Sequence, residues 1–267
     1  MVLLLATMAL AILLACGVAG AIINGEPDGD GHPYVGAVVT DLGGVNLPLC
    51  SGTLVSPTVF LTVGHCTEIL IEEDLPTYVS FDSTYVPGES ELVSGTPHTY
   101  PSYCEGCGPP GIEWLPGYDV ALVVLDKPVE MVTYGALPSA NLVDTLRKRA
   151  PLTAVGYGAT DWTFGGGPPL ETYPDIRNRA TVEYLGTEGM GNLVGEDTYI
   201  KTTGSSMGRG GEGTCYGDSG GPFFLADQRT VVAVTSFAPP SSFPCAGPSY
   251  VQRVDLPVVL EWISSFL

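Results

Sequence analysis

The order of apolar and polar residues predicts a chain of short strands, with an apolar leader before them and a helix after them. Residues 1–21 carry no charged side chain, and the first charge is at Glu26. Beyond the leader, the apolar runs are short and are separated by Gly, Pro, Asp and Ser. This is the pattern of strands joined by tight turns.

Twelve segments rich in β-branched and aromatic residues are predicted as strands, six before residue 130 and six after it. They span residues 34–40, 50–56, 59–64, 78–82, 91–96, 120–126, 152–158, 177–185, 197–204, 221–226, 230–238 and 249–254. Frequent turns and short apolar runs favour an all-β barrel or sandwich, and two six-stranded antiparallel β-barrels fit the count. The first barrel would occupy about residues 22–138 and the second about 139–254.

Residues 255–267 are predicted to form a C-terminal helix. Asp255 is a suitable cap, and Pro257 suits the first helical turn. Leu256, Leu260, Ile263 and Leu267 recur at helical spacing and would share one apolar face. The pattern indicates packing and carries no chemistry.

The leader has three interpretations. It ends in Ala19-Gly-Ala21, the small-x-small pattern that precedes signal peptidase cleavage, so a removed secretion signal and an extracellular protein are expected. Leu13-Leu-Ala-Cys16 is also similar to a lipoprotein signal, and Cys16 would then anchor the protein at the cell surface. A retained membrane helix is the third reading, against which Gly17 and Gly20 argue.

Charge narrows the classes of partner. The net charge is −19, and the first 126 residues hold 15 of the 29 acidic side chains and no Lys or Arg. Nucleic acid and anionic membranes are therefore not expected partners. A solvated acidic surface that keeps an exported protein soluble is the simplest interpretation, and attraction of cationic substrates is the second.

The run Gly213-Thr-Cys-Tyr-Gly-Asp-Ser-Gly-Gly-Pro222 carries the strongest chemical signal. It points to Ser219 as a nucleophile, which needs a base and a group to orient that base. We take His65 as the base and Asp119 as the group that orients it. The run also contains the Gly-x-Ser-x-Gly elbow of α/β-hydrolases, but in that fold the histidine follows the serine, and no histidine follows Ser219.

These residues, with Ile22-Ile-Asn-Gly25, Cys50-Ser-Gly-Thr-Leu-Val55 and Ala154-Val-Gly-Tyr-Gly158, resemble the trypsin/chymotrypsin-like serine proteases. The resemblance covers essentially all of residues 22–267 and implies one chymotrypsin-like protease domain after a signal at 1–21. It implies a secreted endopeptidase with His65, Asp119 and Ser219 as catalytic groups. Such an enzyme would be a monomer that acts on protein or peptide substrates and needs no cofactor. The amides of Gly217 and Ser219 would form the oxyanion hole.

The resemblance also implies a substrate pocket and an activation pair. The pocket residues would be Gly213, Thr214, Tyr216, Ser236, Phe237 and Ala238. Gly213 stands where trypsin-like enzymes carry an aspartate, so small-to-medium apolar side chains are expected before the scissile bond rather than Lys or Arg. Ser236 would lie beside Asp119. A new amino terminus at Ile22 would pair with Asp218.

Seven cysteines are present, and six of them follow the leader, which favours disulfides in an exported chain. The resemblance implies that Cys50 pairs with Cys66 and Cys215 with Cys245, which leaves Cys104 and Cys107 to pair locally. Half of a zinc site or a redox motif is the alternative for that last pair.

Other readings stay open at this point. Asp28-Gly-Asp30 and Glu72-Glu-Asp74 are acidic clusters that raise the question of calcium, although no metal site is predicted. A non-catalytic relative that acts in binding or adhesion is the alternative function. Hydrolysis of esters is a third.

Overall fold

A computed structural model of the chain describes residues 22–113, 115–163, 170–173, 175–187, 197–205, 211–239 and 245–267. The predictions for residues 1–21, both the cleaved signal and the anchor at Cys16, lie outside this part of the chain. Among the described residues, no helix has the length and apolar character needed to cross a bilayer.

After a short strand β1 (Glu26–Pro27), six antiparallel strands close into the first barrel in the order β2-β3-β4-β7-β6-β5. They are β2 (Val35–Asp41), β3 (Asn46–Leu54), β4 (Val59–Thr62), β5 (Thr77–Ser80), β6 (Val93–Thr99) and β7 (Ala121–Leu125). Fully buried side chains such as Val38, Phe60 and Leu122 fill the interior. Strand β7, which begins two residues after Asp119, packs into this core.

The second barrel is built from six of the remaining strands in the order β11-β12-β15-β14-β13-β8, and pairing of β11 with β8 closes it. The strands after the first barrel are β8 (Pro151–Gly156), β9 (Asp161–Thr163), β10 (Leu170–Thr172), β11 (Asn178–Gly186), β12 (Tyr199–Thr202), β13 (Pro222–Phe224), β14 (Val231–Phe237) and β15 (Ser249–Arg253). Strands β9 and β10 pair only with each other. The predicted fold of two six-stranded barrels and a terminal helix is confirmed.

In the described segments, two α-helices and one 3₁₀ helix accompany the strands: α1 (Gly64–Glu72), the 3₁₀ helix (Leu142–Thr145) and α2 (Pro257–Ser264). Helix α1 was not predicted, because its sequence continues the apolar run of β4 and its N-cap residue, Val63, offers no capping side chain. The helix begins one residue before His65. His65 therefore lies in the first turn of the helix and not on the strand.

The role predicted for Asp255 is wrong. Helix α2 begins at Pro257 with no side-chain cap, while the Asp255 carboxylate accepts hydrogen bonds from the Val143 N–H group (2.7 Å) and the Arg253 guanidinium (2.9 Å). Arg253 is 2% exposed, and a buried charge needs a paired partner more than a helix needs a cap. Leu267, expected on the apolar face, is exposed.

Each end of the described chain packs on the opposite barrel. Strand β1 pairs with β11 of the second barrel, and Val259 and Ile263 of helix α2 bury their side chains in the core of the first. Buried Arg177 adds a further tie, because it donates to the Val35 and Phe81 carbonyls of the first barrel. Contacts from both ends of the described chain and from Arg177 therefore join the two barrels.

The first acidic cluster has a structural role. The Asp28 carboxylate is buried and contacts the Arg177 guanidinium at 3.0 Å and the His32 ring at 2.6 Å. Oδ1 contacts the His32 ring, and Oδ2 accepts both the Arg177 guanidinium and the His32 backbone N–H group. Asp28 therefore has a structural role in this cluster.

Candidate active site

The turn around Ser219 presents two backbone amides without acceptors. Gly217 has a φ of +89°, which other residues rarely adopt. A Cβ atom there would lie 2.9 Å from the Cα atom of Gly158, so the close approach also requires glycine. Within the described part of the chain, the N–H groups of Gly217 and Ser219 donate no hydrogen bond. Both amides are available to a substrate oxygen.

Ser51, on strand β3, braces this turn from the first barrel. Its N–H group donates to the Ser219 carbonyl and its hydroxyl donates to the Gly217 carbonyl, both at 2.8 Å. The same hydroxyl accepts the Tyr157 N–H group at 3.0 Å. Because Ser51 is fully buried, these bonds are shielded from water and fix the turn between the two barrels.

Asp119 is fully buried just before β7 and holds His65 by two bonds. One carboxylate oxygen accepts the His65 backbone N–H group (2.9 Å), and the other contacts ring Nδ1 (2.8 Å). The Ser236 hydroxyl donates to this second oxygen at 2.5 Å. Since a carboxylate only accepts, the contact assigns a proton to Nδ1 and leaves Nε2 as the acceptor.

The two groups shift each other's pKa. Burial alone would lower the pKa of His65, but the charge and hydrogen bond of Asp119 raise it above its ordinary value. Burial would raise the pKa of Asp119, but His65 and the Ser236 hydroxyl hold it below its ordinary value. The pair therefore favours an ionised carboxylate behind the imidazole.

Two more carboxylates act on His65 through space. Glu68 of helix α1 and Glu105 of the loop before β7 both raise the pKa of the imidazole. Tyr103 brings this loop against the helix, because a Cβ atom at Gly64 would meet the Tyr103 ring at 2.5 Å. The first Lys or Arg of the chain is Lys127. No basic side chain from the first 126 residues therefore offsets these charges.

A cleft of about 640 Å³ lies beside Ser219 and His65, whose side chain is 35% exposed. The predicted pocket residues that border the cleft are Thr214, Tyr216, Ser236, Phe237 and Ala238. In the described residues no hydrogen bond joins Ser219 to His65, a contact that commonly tightens only when substrate binds. The cleft nevertheless brings both side chains to one surface.

Gly213 is placed differently from the other predicted pocket residues. It does not border the cleft; its backbone pairs with Ile23. A Cβ atom on Gly213 would lie 2.4 Å from the Ser205 nitrogen, so position 213 has no room for a larger residue. Thr214 and Ser249 do border the cleft; both are buried, and their hydroxyls lie 2.9 Å apart.

Asp218 and Ile22, the predicted activation pair, are both fully buried in the second barrel. The Asp218 carboxylate accepts the N–H groups of Cys215 and Gly158, each at 2.9 Å. Burial raises the pKa of Asp218 to about 7. No cationic group of the described chain contacts it. The neighbouring Ile23 N–H group donates to the Gly213 carbonyl at 2.9 Å.

The six cysteines that the structure describes form disulfides, which link Cys50 to Cys66, Cys104 to Cys107 and Cys215 to Cys245. The pairing of Cys104 with Cys107 leaves no free thiolates for the zinc alternative. Of the residues that the structure describes, one group lies close enough to share a metal, namely Cys50, His65 and Cys66. Its two sulfurs are bonded to each other, so they cannot act as thiolate ligands.

Sequence reasoning missed four residues that contribute to this arrangement. Ser51 lay within a recognised segment, but its bonds to the Ser219 turn depend on the meeting of two barrels. Glu68 and Glu105 read as solvated acidic residues. Tyr199, whose hydroxyl contacts the Asp119 amide at 3.4 Å, lies 80 residues from Asp119 in sequence, and no local signal identifies it.

The chain is similar in sequence and in fold to known proteins. Residues 22–263 match the family described as Trypsin. The chain is 28% identical to proproteinase E of Bos taurus over 264 residues, covering 92% of each chain. It is 27% identical to the snake venom serine protease BthaTL of Bothrops alternatus, over 67% of this chain and 70% of that one. A solved structure of HL collagenase superposes with a TM-score of 0.66 at 21% identity, covering 91% and 97% of the two chains, and this likeness concerns the fold.

Proposed function

We propose that this chain, which belongs to the trypsin family of serine proteases, is an exported endopeptidase with Ser219, His65 and Asp119 as its catalytic groups. The observation that carries the proposal is the buried Asp119 carboxylate, which fixes both the backbone and the ring of His65. A structural ion pair would not need a partly exposed imidazole at the edge of a cleft that also contains a serine on a tight glycine turn.

In the proposed reaction the Ser219 hydroxyl attacks the peptide carbonyl while Nε2 of His65 takes its proton. The amides of Gly217 and Ser219 stabilise the oxyanion of the tetrahedral intermediate. The imidazolium then gives its proton to the leaving amine, and an acyl-enzyme remains on Ser219. A water molecule, deprotonated by His65, hydrolyses that ester and restores the enzyme.

The substrate backbone would lie along the end of strand β14. Ser236, Phe237 and Ala238 border the cleft at this end, and an extended peptide can pair with such a strand as an added strand. This pose brings the scissile carbonyl toward Ser219. Ala238, in place of a glycine, would narrow the mouth of the pocket.

The pocket supports cleavage after small-to-medium apolar residues. Its described lining carries hydroxyls and apolar groups but no carboxylate that could pair with Lys or Arg. An aspartate at position 213 would collide with the backbone of Ser205 and Gly204. A buried cationic side chain would therefore lose hydration without gaining a counter-ion.

Activation would depend on a new amino terminus at Ile22. The Asp218 carboxylate is buried with two amide donors and no described cation, which is an unfavourable state for an ion. An ammonium group at Ile22 would neutralise it and fix the adjacent Gly217 and Ser219 amides. Cleavage after Ala21 during export would create this terminus directly, and amino-terminal sequencing of the active form tests that step.

The central test compares the wild type with Ser219→Ala. We expect turnover of a peptide substrate to fall by at least about 10⁴-fold, because Ser219 and His65 act as one proton-transfer unit. An organophosphonate should label the wild type at Ser219 and leave the folded variant unlabelled. A variant that keeps wild-type turnover, or labelling at another residue, would overturn the proposed mechanism.

A further inference from the structure

Tyr199 opens strand β12 of the second barrel and is fully buried beneath Asp119. Its hydroxyl donates to the Pro116 carbonyl at 2.9 Å and accepts the Asp119 N–H group at 3.4 Å. The ring meets Phe237 edge to face, with centroids 5.0 Å apart. One hydroxyl from the second barrel therefore spans the turn from Pro116 to Asp119 in the first.

That turn has an unusual backbone. Tyr118, directly before Asp119, has a φ of +49° although it is not glycine, and the Val120 N–H group donates to the Tyr118 carbonyl at 2.7 Å. Such a conformation persists only when its surroundings fix it. On one side Gly117 pairs with Cys104 by two bonds of 3.1 and 2.8 Å. Tyr199 supplies the fixation on the interior side.

We infer that Tyr199 is a positioning residue for the catalytic aspartate, holding the backbone of Asp119 while His65 and Ser236 hold its carboxylate. The inference rests on the proposed function, because it assigns Tyr199 a part in the same reaction. Without the hydroxyl, the Pro116 carbonyl and the Asp119 N–H group lose their buried partner. The carboxylate would then hold His65 less firmly.

The charges around these groups set the direction of the expected change. His65 faces Asp119, Glu68 of helix α1 and Glu105 of the preceding loop, all of which raise its pKa. Burial, and then the charge of Asp119 and the neighbouring Tyr103, raise the pKa of Tyr199 well above its ordinary value, although the Asp119 amide and the Ser236 hydroxyl act to lower it. Tyr199 therefore acts as a neutral hydroxyl. Loosening Asp119 removes the largest attraction on the imidazolium and lowers the pKa of His65.

The experiment compares Tyr199→Phe with Tyr34→Phe in the active enzyme. Tyr34 is a matched control, because it is also buried and donates its hydroxyl to a backbone carbonyl, that of Gln228, away from the cleft. For Tyr199→Phe we expect kcat to fall about three- to tenfold with KM unchanged. The acid limb of the kcat profile should move to lower pH. For Tyr34→Phe neither should change.

An NMR titration of the His65 ring separates this inference from the proposed function. A pKa of His65 that falls in Tyr199→Phe and not in Tyr34→Phe supports the positioning role even if the wild type cleaves no peptide, an outcome that would count against the proposed function alone. Identical kcat, pH profile and His65 titration in both variants would overturn the inference. If Tyr199→Phe does not fold, 4-aminophenylalanine at position 199 keeps the donor to Pro116, is a poor acceptor for the Asp119 amide, and has the same expected outcomes.

Discussion

Asp119 and Asp218 are both fully buried carboxylates at the two sides of the cleft, yet their pKa values shift in opposite directions. Burial acts to raise both. The His65 contacts and the Ser236 hydroxyl bring the pKa of Asp119 below its ordinary value, whereas two backbone amides leave the pKa of Asp218 at about 7. Asp119 has three hydrogen-bond partners and Asp218 has two, and one partner of Asp119 is an imidazole, which can carry a positive charge.

The contrast teaches that two neutral donors do not offset the loss of hydration around a buried ion, and that a cationizable partner does. The buried Asp119 carboxylate already has a partner, His65, that can carry the opposite charge. The Asp218 region lacks a cation in the described part of the chain. We therefore connect the first region to catalysis and the second to activation, and each connection can be tested.

The largest effect is expected when the Asp119 carboxylate is replaced by a neutral amide. Asp119→Asn should lower kcat by about 10⁴-fold, the size of loss typical of such triads, because an amide can donate to Nδ1 and so favours the wrong tautomer of His65. Steady-state kinetics measure it. Asp126→Asn, at an exposed carboxylate that accepts the Ser94 hydroxyl, is the control and should retain activity. A loss below tenfold in Asp119→Asn would contradict the triad.

The next prediction concerns how stability depends on pH. It compares a chain whose amino terminus is Ile22 with a chain that has residues before Ile22. In the extended chain the folded-state pKa of Asp218 is raised from 3.8 to about 7, so the penalty for ionising it is absent below about pH 4 and grows until about pH 7. It amounts to about 4 kcal/mol at most. An ammonium at Ile22 removes this penalty.

The difference in Tm between the two chains should therefore widen as pH rises from 4 to 7. Thermal unfolding followed by circular dichroism measures it. In extended Asp218→Asn the penalty should disappear, because an amide does not ionise. A difference that stays constant across this range would show that the Ile22 ammonium does not reach Asp218.

Asp218→Asn should also affect activity, by a somewhat smaller free energy. In the chain that begins at Ile22, the change removes the counter-ion of the ammonium and frees the adjacent amides. A fall of about 10²- to 10³-fold in kcat is expected, comparable with the loss of one oxyanion donor. In the extended chain the same change should have little further effect. Equal losses in both chains would instead indicate a role independent of the amino terminus.

The pocket offers a third contrast, because its described lining contains no carboxylate at all. Cleavage after Lys or Arg should be at least about tenfold slower than after Ala, Val, Leu or Phe, a difference of about 1.4 kcal/mol. A peptide series that varies only the residue before the scissile bond measures kcat/KM for each. A preference for Arg would show that a carboxylate from elsewhere in the chain reaches the pocket.

The same regions show what sequence reasoning can reach. Alternating strands and turns are local, so both barrels could be predicted, and the glycine-rich run around Ser219 identified its turn. Helix α1 could not be separated from β4 because it has no cap signal. The hydroxyl of Tyr199 and the bonds of Ser51 depend on contacts between barrels, which no window of sequence contains. Asp255 was misread because its buried partner, Arg253, cannot be recognised as buried from sequence.

The smallest expected effect is that of the Glu105 charge on the pKa of His65. Glu105 is exposed and acts on His65 only through space, so Glu105→Gln should move the acid limb of the kcat/KM profile to lower pH by a fraction of a pH unit. The sign follows because the active imidazole must be neutral, and a weaker negative potential lets it lose its proton at lower pH. Glu130→Gln, whose charge is not among those that act on His65, is the control. Since exposed charges are screened by salt, the shift should shrink between low and high ionic strength. A shift that persists in high salt would mean that the substitution moves the loop instead of removing a charge.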